Sequence, residues 1–231
     1  MTITLITGGN KGLGFETARR LIALGHTVYV GARDADRGQR AAAELGAKFL
    51  LLDVTSDDAV TEAAARLAEA EGHLDLLINN AGVAGGRAKP EEVTAEQLRK
   101  TFETNVFGVV RVTQAFLPLL RKAHAPAIIN VSSGLGSFDL VTNPETLESK
   151  INSLAYCSSK AAVTMLTVQY AKGLQGIRVN AVDPGPTSTD LNGHMGKQTV
   201  QEGTDAIVRM ATAGKEGATG TFSDRKGTVP W

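Results

Sequence analysis

The chain has 231 residues, a formal net charge of zero, 42% hydrophobic residues and one cysteine, Cys157. That length can bury one sizeable core, and the neutral balance argues against a nucleic-acid binder held by basic surface charge. A lone cysteine excludes an internal disulfide, and no apolar run approaches the roughly 18 residues of a membrane span. The opening reads as a strand rather than a signal peptide. These features predict a soluble cytoplasmic protein with no membrane or nucleic-acid partner.

Strand-like and helix-like patterns alternate along the chain. Ile3 to Ile6 is a β-branched apolar run, and Phe15 to Leu24 has apolar residues at helical spacing. Strands are then predicted over His26–Ala32, Lys48–Asp53, Leu74–Asn79, Pro126–Ser132 and Ile177–Val182, with a short last one over Gly220–Ser223. Helices are predicted over Asp36–Leu45, Asp57–Glu71, Ala155–Leu174 and Gln201–Ala213. Thr94 to about Lys122 reads as one or two helices, with Pro118 as a kink near the end. This alternation implies βαβ units and an α/β fold: a single-domain, doubly wound parallel sheet covered by helices on both faces, Rossmann-like in type.

In such sheets ligands sit beyond the carboxyl ends of the strands. The first strand runs into Thr7-Gly8-Gly9-Asn10-Lys11-Gly12-Leu13-Gly14 and then a helix. Gly8 permits the tight turn, and Gly12 and Gly14 permit close backbone approach. The helix start then offers free N–H groups to a pyrophosphate. Arg33 ends the second strand, where dinucleotide folds read the adenosine ribose. A carboxylate there suits the 2′-hydroxyl of NAD, and an arginine suits the 2′-phosphate of NADP. Lys11 and Arg37 are further candidates for that phosphate. Asp34 is a competing ribose ligand, and a solvated Arg33 is the plain alternative. Asp53-Val54 follows the third strand, with a turn or helix cap as an equal alternative for Asp53.

Tyr156 and Lys160 stand at i and i+4 on one helix face. An ammonium beside a phenol favours the phenolate, so the pair can exchange a proton with a carbonyl or alcohol oxygen near neutral pH. Ser133, after the fifth strand, can hydrogen-bond the same oxygen. No metal-ligating cluster is predicted. His194 reads as an exposed loop residue.

The glycine spacing, Asn79-Asn80-Ala81-Gly82, Asn105, Ser133 and Tyr156-Cys157-Ser158-Ser159-Lys160, in this order, resemble the short-chain dehydrogenase/reductase family over nearly the whole chain. The resemblance implies a hydride transfer between NADP(H), with NAD less favoured, and a small-molecule carbonyl or alcohol. Asn105, Ser133, Tyr156 and Lys160 would be catalytic, Asn105 by anchoring a water that relays to the lysine. Gly8, Asn10, Lys11, Gly12, Leu13, Gly14, Arg33, Asp53, Val54, Asn80, Ala81, Gly82, Tyr156 and Lys160 would bind cofactor. So would Pro184, Gly185, Thr187 and Thr189, the last two at the nicotinamide carboxamide; a rigid Pro-Gly-Pro turn is the alternative there. The family pattern selects Ser133 over Ser132, because the catalytic serine lies three residues before a glycine, here Gly136.

The stretch between Ser133 and Tyr156 is longer than the family's common spacing. The extra piece, near 139–153, resembles the carbonyl-reductase-like branch and leaves monomer or homo-oligomer open. Leu191 to Val200 is predicted to be a short substrate lid near 190–200. A catalytically silent dinucleotide sensor of the same fold is the alternative function.

Overall fold

The computed structural model describes residues 1–86 and 88–231. Among them, strands β1 (Ile3–Thr7), β2 (Thr27–Ala32), β3 (Lys48–Leu51), β4 (Leu76–Asn79), β5 (Ala127–Val131), β6 (Arg178–Val182) and β7 (Phe222–Ser223) form one sheet. Its order is β3-β2-β1-β4-β5-β6-β7. All neighbours are parallel. Parallel neighbours cannot be joined by hairpins, so helices carry the crossovers. These are α1 (Gly12–Ala23), α2 (Ala35–Leu45), α3 (Asp57–Glu71), α4 (Ala95–Phe102), α5 (Gly108–Leu120), α6 (Phe138–Thr142), α7 (Leu154–Gly173), α8 (Val200–Gly203) and α9 (Asp205–Ala211). The order turns back between β1 and β4, which opens a crevice at the carboxyl ends of those strands.

The two-residue period of the strands divides the core. Leu5, Leu77, Ile128 and Val179 face one side, where α3 contributes Val60 and Leu67 and α5 contributes Val112 and Phe116. Ile6, Ile78, Ile129 and Val30 face the other, against Ala18 and Leu21 of α1 and Ile207 of α9. Burying a side chain such as Leu67, 1% exposed, is worth roughly 1.5–3 kcal/mol. The central strands are therefore mostly apolar, as a doubly covered parallel sheet requires.

Helix ends follow local chemistry. Asp34 and Ser56 cap α2 and α3 by accepting the N–H groups of Arg37 and Ala59. Both helices stop at glycines in the left-handed region, Gly46 (φ 68°) and Gly72 (φ 74°). The α3 bounds match the sequence pattern.

Three predicted elements differ. The break in the 94–122 helix is not at Pro118, which lies inside α5; it is a π-helical turn over Glu103–Phe107. The predicted Gln201–Ala213 helix is two, α8 and α9, divided at Thr204, whose N–H and hydroxyl both bond Gln201 O. The extra piece before the tyrosine holds α6 and a 3₁₀ turn over Glu148–Lys150. No described helix is long and apolar enough to cross a membrane.

Candidate active site

The site starts at the turn between β1 and α1. Gly8 and Gly12 have φ of 63° and 55°, a region that other residues enter only with strain. A Cβ on Gly14 would lie 2.6 Å from both Asn80 Nδ2 and Gly8 O, so only glycine lets α1 approach so closely. Asn80 holds the turn in place: its Nδ2 donates to Thr7 O (2.9 Å) and Gly8 O (3.1 Å). Asn79 is buried and ties β4 to β5 by donating to Asn130 Oδ1 at 2.9 Å. Unlike α2 and α3, α1 has no side-chain cap and no acidic residue in its first turn. Its leading N–H groups and positive dipole end stay available to an anion.

Beyond this turn lies a cleft of about 670 Å³. Gly8, Asn10, Lys11, Gly12, Leu13, Gly14, Arg33, Asp53, Val54, Asn80, Ala81, Gly82, Pro184 and Thr189 line it, together with Tyr156 and Lys160. Asn105, Ser133, Gly185 and Thr187 are not among the lining residues, whereas Ser132 is; Thr187 is buried, with its hydroxyl donating to Pro184 O at 3.0 Å. Asp34 does not reach the cleft. It caps α2 and pairs with Arg37 at 3.4 Å. Asp53 does two things: it lines the cleft, and its Oδ1 accepts the N–H (2.9 Å) and hydroxyl (2.7 Å) of Thr55.

At the far end, α7 presents Tyr156 and Lys160 side by side. Lys160 is 5% exposed. Its Nζ donates to Val131 O at 2.7 Å and lies 5.6 Å from the Tyr156 ring centre. The loop after β5 brings Ser133 near Tyr156, where its hydroxyl acts on the phenol; Ser133 Oγ also accepts the Leu135 N–H at 3.2 Å. Ser132 is buried instead, and its hydroxyl donates to Lys160 O at 3.1 Å. Asn105 lies in the π-helical turn and is 1% exposed. Its Oδ1 accepts from Val83 N (2.8 Å), and its Nδ2 donates to Val83 O and Ser159 Oγ (both 2.9 Å). Such turns interrupt the regular helix ladder and recur at functional sites.

The electrostatics correct one expectation. The Tyr156 phenol is not brought down toward neutrality. Burial, then the charge of Asp183, hold it above its ordinary value, and the Ser133 hydroxyl pulls only weakly the other way. Burial pushes Lys160 down to about 8, against the opposing pull of Asp183.

The β5 loop can sit this close to α7 only because of Gly136. A Cβ there would lie 2.6 Å from the Lys160 carbonyl carbon and 2.9 Å from Ala161 N. Backbone neighbours cannot rotate away. Gly136→Ala should therefore cost about 1–3 kcal/mol as an overpacked contact, or about 2–4 °C of Tm per kcal/mol for a chain of this size. Differential scanning calorimetry reads the loss, and an unchanged Tm would show that the loop can retreat freely.

Asp190 is a cleft residue that was not singled out from sequence. It pairs with Lys11 at 2.8 Å and with His194 Nε2 at 3.0 Å, joining the 190–194 segment to the glycine turn. His194 is both exposed, as its sequence context predicts, and part of the cleft lining. Asp190 lies four residues beyond Pro186, and its Lys11 partner is 179 residues away. Among the described residues there is no His/Cys/Asp/Glu group that could hold a metal ion.

A cradle of uncapped N–H groups, glycines and a long cleft fits a nicotinamide dinucleotide, the cofactor that this fold binds. The family model for short chain dehydrogenases matches residues 2–200. The chain belongs to the short-chain dehydrogenase family. It is 39% identical over 225 residues to the short-chain dehydrogenase anuI of Penicillium roqueforti, covering 92% of this chain and 89% of that one. It superposes on the NADPH-bound carbonyl reductase from chicken fatty liver with a TM-score of 0.86, at 29% identity and full coverage of both chains. It also superposes on the 3-ketoacyl-(acyl-carrier-protein) reductase from Brucella melitensis complexed with NADH, with a TM-score of 0.85, 25% identity and 96% coverage of each.

Proposed function

We propose that this oxidoreductase is an NADP(H)-dependent carbonyl reductase or alcohol dehydrogenase acting on a small molecule. The observation that carries it is the pairing of Tyr156 and Lys160 in the wall of the cleft whose other parts are the glycine turn and Arg33, with Ser133 on the loop beside Tyr156. The bound cofactor supplies or accepts the hydride. Ser133 and Tyr156 hydroxyls hold the substrate oxygen, and in reduction the Tyr156 proton moves to it. A phenol that burial keeps protonated suits the acid role, and the Lys160 ammonium stabilises the phenolate left behind. Asn105 fixes the Val83 backbone and α7 against one another. The 190–200 segment serves as a lid.

A panel of aldehydes, ketones and quinones, followed by NADPH absorbance, tests this reading. Cofactor binding with no turnover across the panel would favour the alternative, a dinucleotide sensor. A sensor has no need of all four of Asn105, Ser133, Tyr156 and Lys160.

Cofactor preference rests on Arg33, which is exposed and lines the cleft; Asp53 lines it too, with its Oδ1 held by the Thr55 N–H and hydroxyl. A 2′-phosphate carries close to two negative charges near neutral pH. A guanidinium fork would hold it with charge-assisted hydrogen bonds that NADH leaves unused. The Asp34–Arg37 pair leaves Arg33 to act alone or with Lys11, once Lys11 exchanges Asp190 for phosphate; exposed pairs of that kind are weak and exchange readily. Arg33→Ala should raise KM for NADPH and leave NADH nearly unchanged. Because the contact is remote from the hydride, saturating kcat should change less. A wild-type kcat/KM that clearly favours NADH would refute the assignment.

A further inference from the structure

Lys11 is the residue just before α1, in extended backbone, and its side chain does not cap that helix. Its Nζ reaches the 190–194 segment instead and donates to Asp190 Oδ2 at 2.8 Å. Asp190 opens a 3₁₀ turn over Asp190–Asn192, and its other oxygen, Oδ1, meets His194 Nε2 at 3.0 Å. The turn ends at Gly193 (φ 65°) and His194 (φ 61°); among the described residues His194 is the single non-glycine in the left-handed region. Such backbone is strained and persists only where neighbours hold it. Here the His194 N–H donates to Thr189 O at 2.9 Å. The stem of the segment is tied as well, Ser188 N–H to Gln198 O at 2.9 Å and Gln198 N–H to Pro186 O at 3.1 Å. The fold of this segment thus presents the Asp190 carboxylate to Lys11.

Lys11, Arg33 and Asp190 line one cleft. Arg33 stands in no ion pair among the described residues, whereas Lys11 is taken. Lys11 holds the Asp190 carboxyl below its ordinary value and His194 adds to the effect, so the carboxylate is charged near neutrality. Both side chains are exposed, at 60% and 58%, and exposed pairs are weak. A phosphate monoester carries close to two negative charges and attracts an ammonium more strongly than a carboxylate with one.

We propose that Asp190 is a specificity-determining residue for the cofactor: it occupies Lys11 in the free protein, and a 2′-phosphate must displace it to gain that ammonium. This rests on the NADP(H) reading of the cleft. Arg33, which is unpaired, is open to the phosphate at once; Lys11 is gained only against Asp190. NADH offers a hydroxyl in place of the phosphate and leaves the pair closed. Asp190 therefore holds the preference for NADPH below what Arg33 and Lys11 would give together.

Dissociation constants for NADPH and NADH, read by fluorescence titration at low salt, test this without turnover. Asp190→Asn removes the charge and keeps a hydrogen-bonding amide for His194. The ratio of the NADH Kd to the NADPH Kd should rise roughly two- to fivefold, the range that freeing an exposed ion pair allows. Asp190→Glu, which keeps the charge, should leave the ratio near the wild-type value. Lys11→Gln should lower the ratio, and D190N added to K11Q should then change nothing, because the ammonium in contention is gone. An unchanged ratio in D190N beside a wild-type preference for NADPH overturns the proposal and leaves the cofactor reading intact. Equal tightening of both cofactors also overturns it, since Asp190 would then act on a part that both share. So does a D190N effect that persists in K11Q, which would not pass through Lys11, or one that D190E reproduces, which would belong to the shape of the segment. If the wild type binds NADH more tightly while D190N still moves the ratio toward NADPH through Lys11, the cofactor reading fails and the competition stands.

Discussion

Tyr156→Phe should reduce turnover by roughly 10²- to 10⁴-fold, the range for loss of a general acid/base. The change keeps the ring, its packing and the neighbouring Lys160, and removes only the hydroxyl. Cofactor affinity should survive, because the pyrophosphate cradle is at the other end of the cleft, at the α1 N-terminus. Steady-state kinetics with the best substrate of the carbonyl panel, beside NADPH titration by fluorescence, separates the two. Near-normal turnover would remove Tyr156 from its role.

Ser133→Ala should lower kcat by about 10²-fold or more, since an oxygen-stabilising donor matters most when charge develops on that oxygen. Ser132→Ala should do much less to kcat. Its hydroxyl is spent on Lys160 O, a second bond to a carbonyl already in the α7 ladder, so its loss costs about 0.5–1.5 kcal/mol of stability. Both variants lose a hydrogen bond to backbone, Ser133→Ala that from Leu135 N and Ser132→Ala that to Lys160 O, so turnover rather than Tm separates them: Ser133→Ala should have the poorer turnover. The opposite ranking would mean that the serines have exchanged roles.

Legibility from sequence followed the range of the interaction involved. The α3 helix was readable to its ends because its stop signals, Ser56 and Gly72, are local. The π-helical turn at Glu103–Phe107 was not readable, because Thr104-Asn105-Val106-Phe107-Gly108 carries no breaker. Its departure from regular helix accompanies contacts of Asn105 with Val83 and Ser159. Pro118 gave a local signal for a break that does not occur: a proline removes a single N–H, and α5 continues over it. Tyr156 and Lys160 were readable as a pair because helix geometry alone sets i and i+4 on one face. The sign of the Tyr156 shift was not, because burial is a property of the packed cleft.

By itself, then, the chain's periodicity determined a doubly wound parallel sheet, and its glycine spacing determined a turn that opens onto the first helix. Those are consequences of backbone geometry repeated within a few residues. Only the tertiary structure decided how adjacent polar residues divide their work. Asp34 is turned to cap α2 while Arg33 lines the cleft, and the Ser132 hydroxyl is drawn to Lys160 O while the Ser133 hydroxyl accepts the Leu135 N–H at the start of the next turn. The placements of Arg33 and Ser132 depend on contacts between segments far apart in the chain, where burial and competing hydrogen-bond partners choose the orientation and local pattern carries no information about the partner.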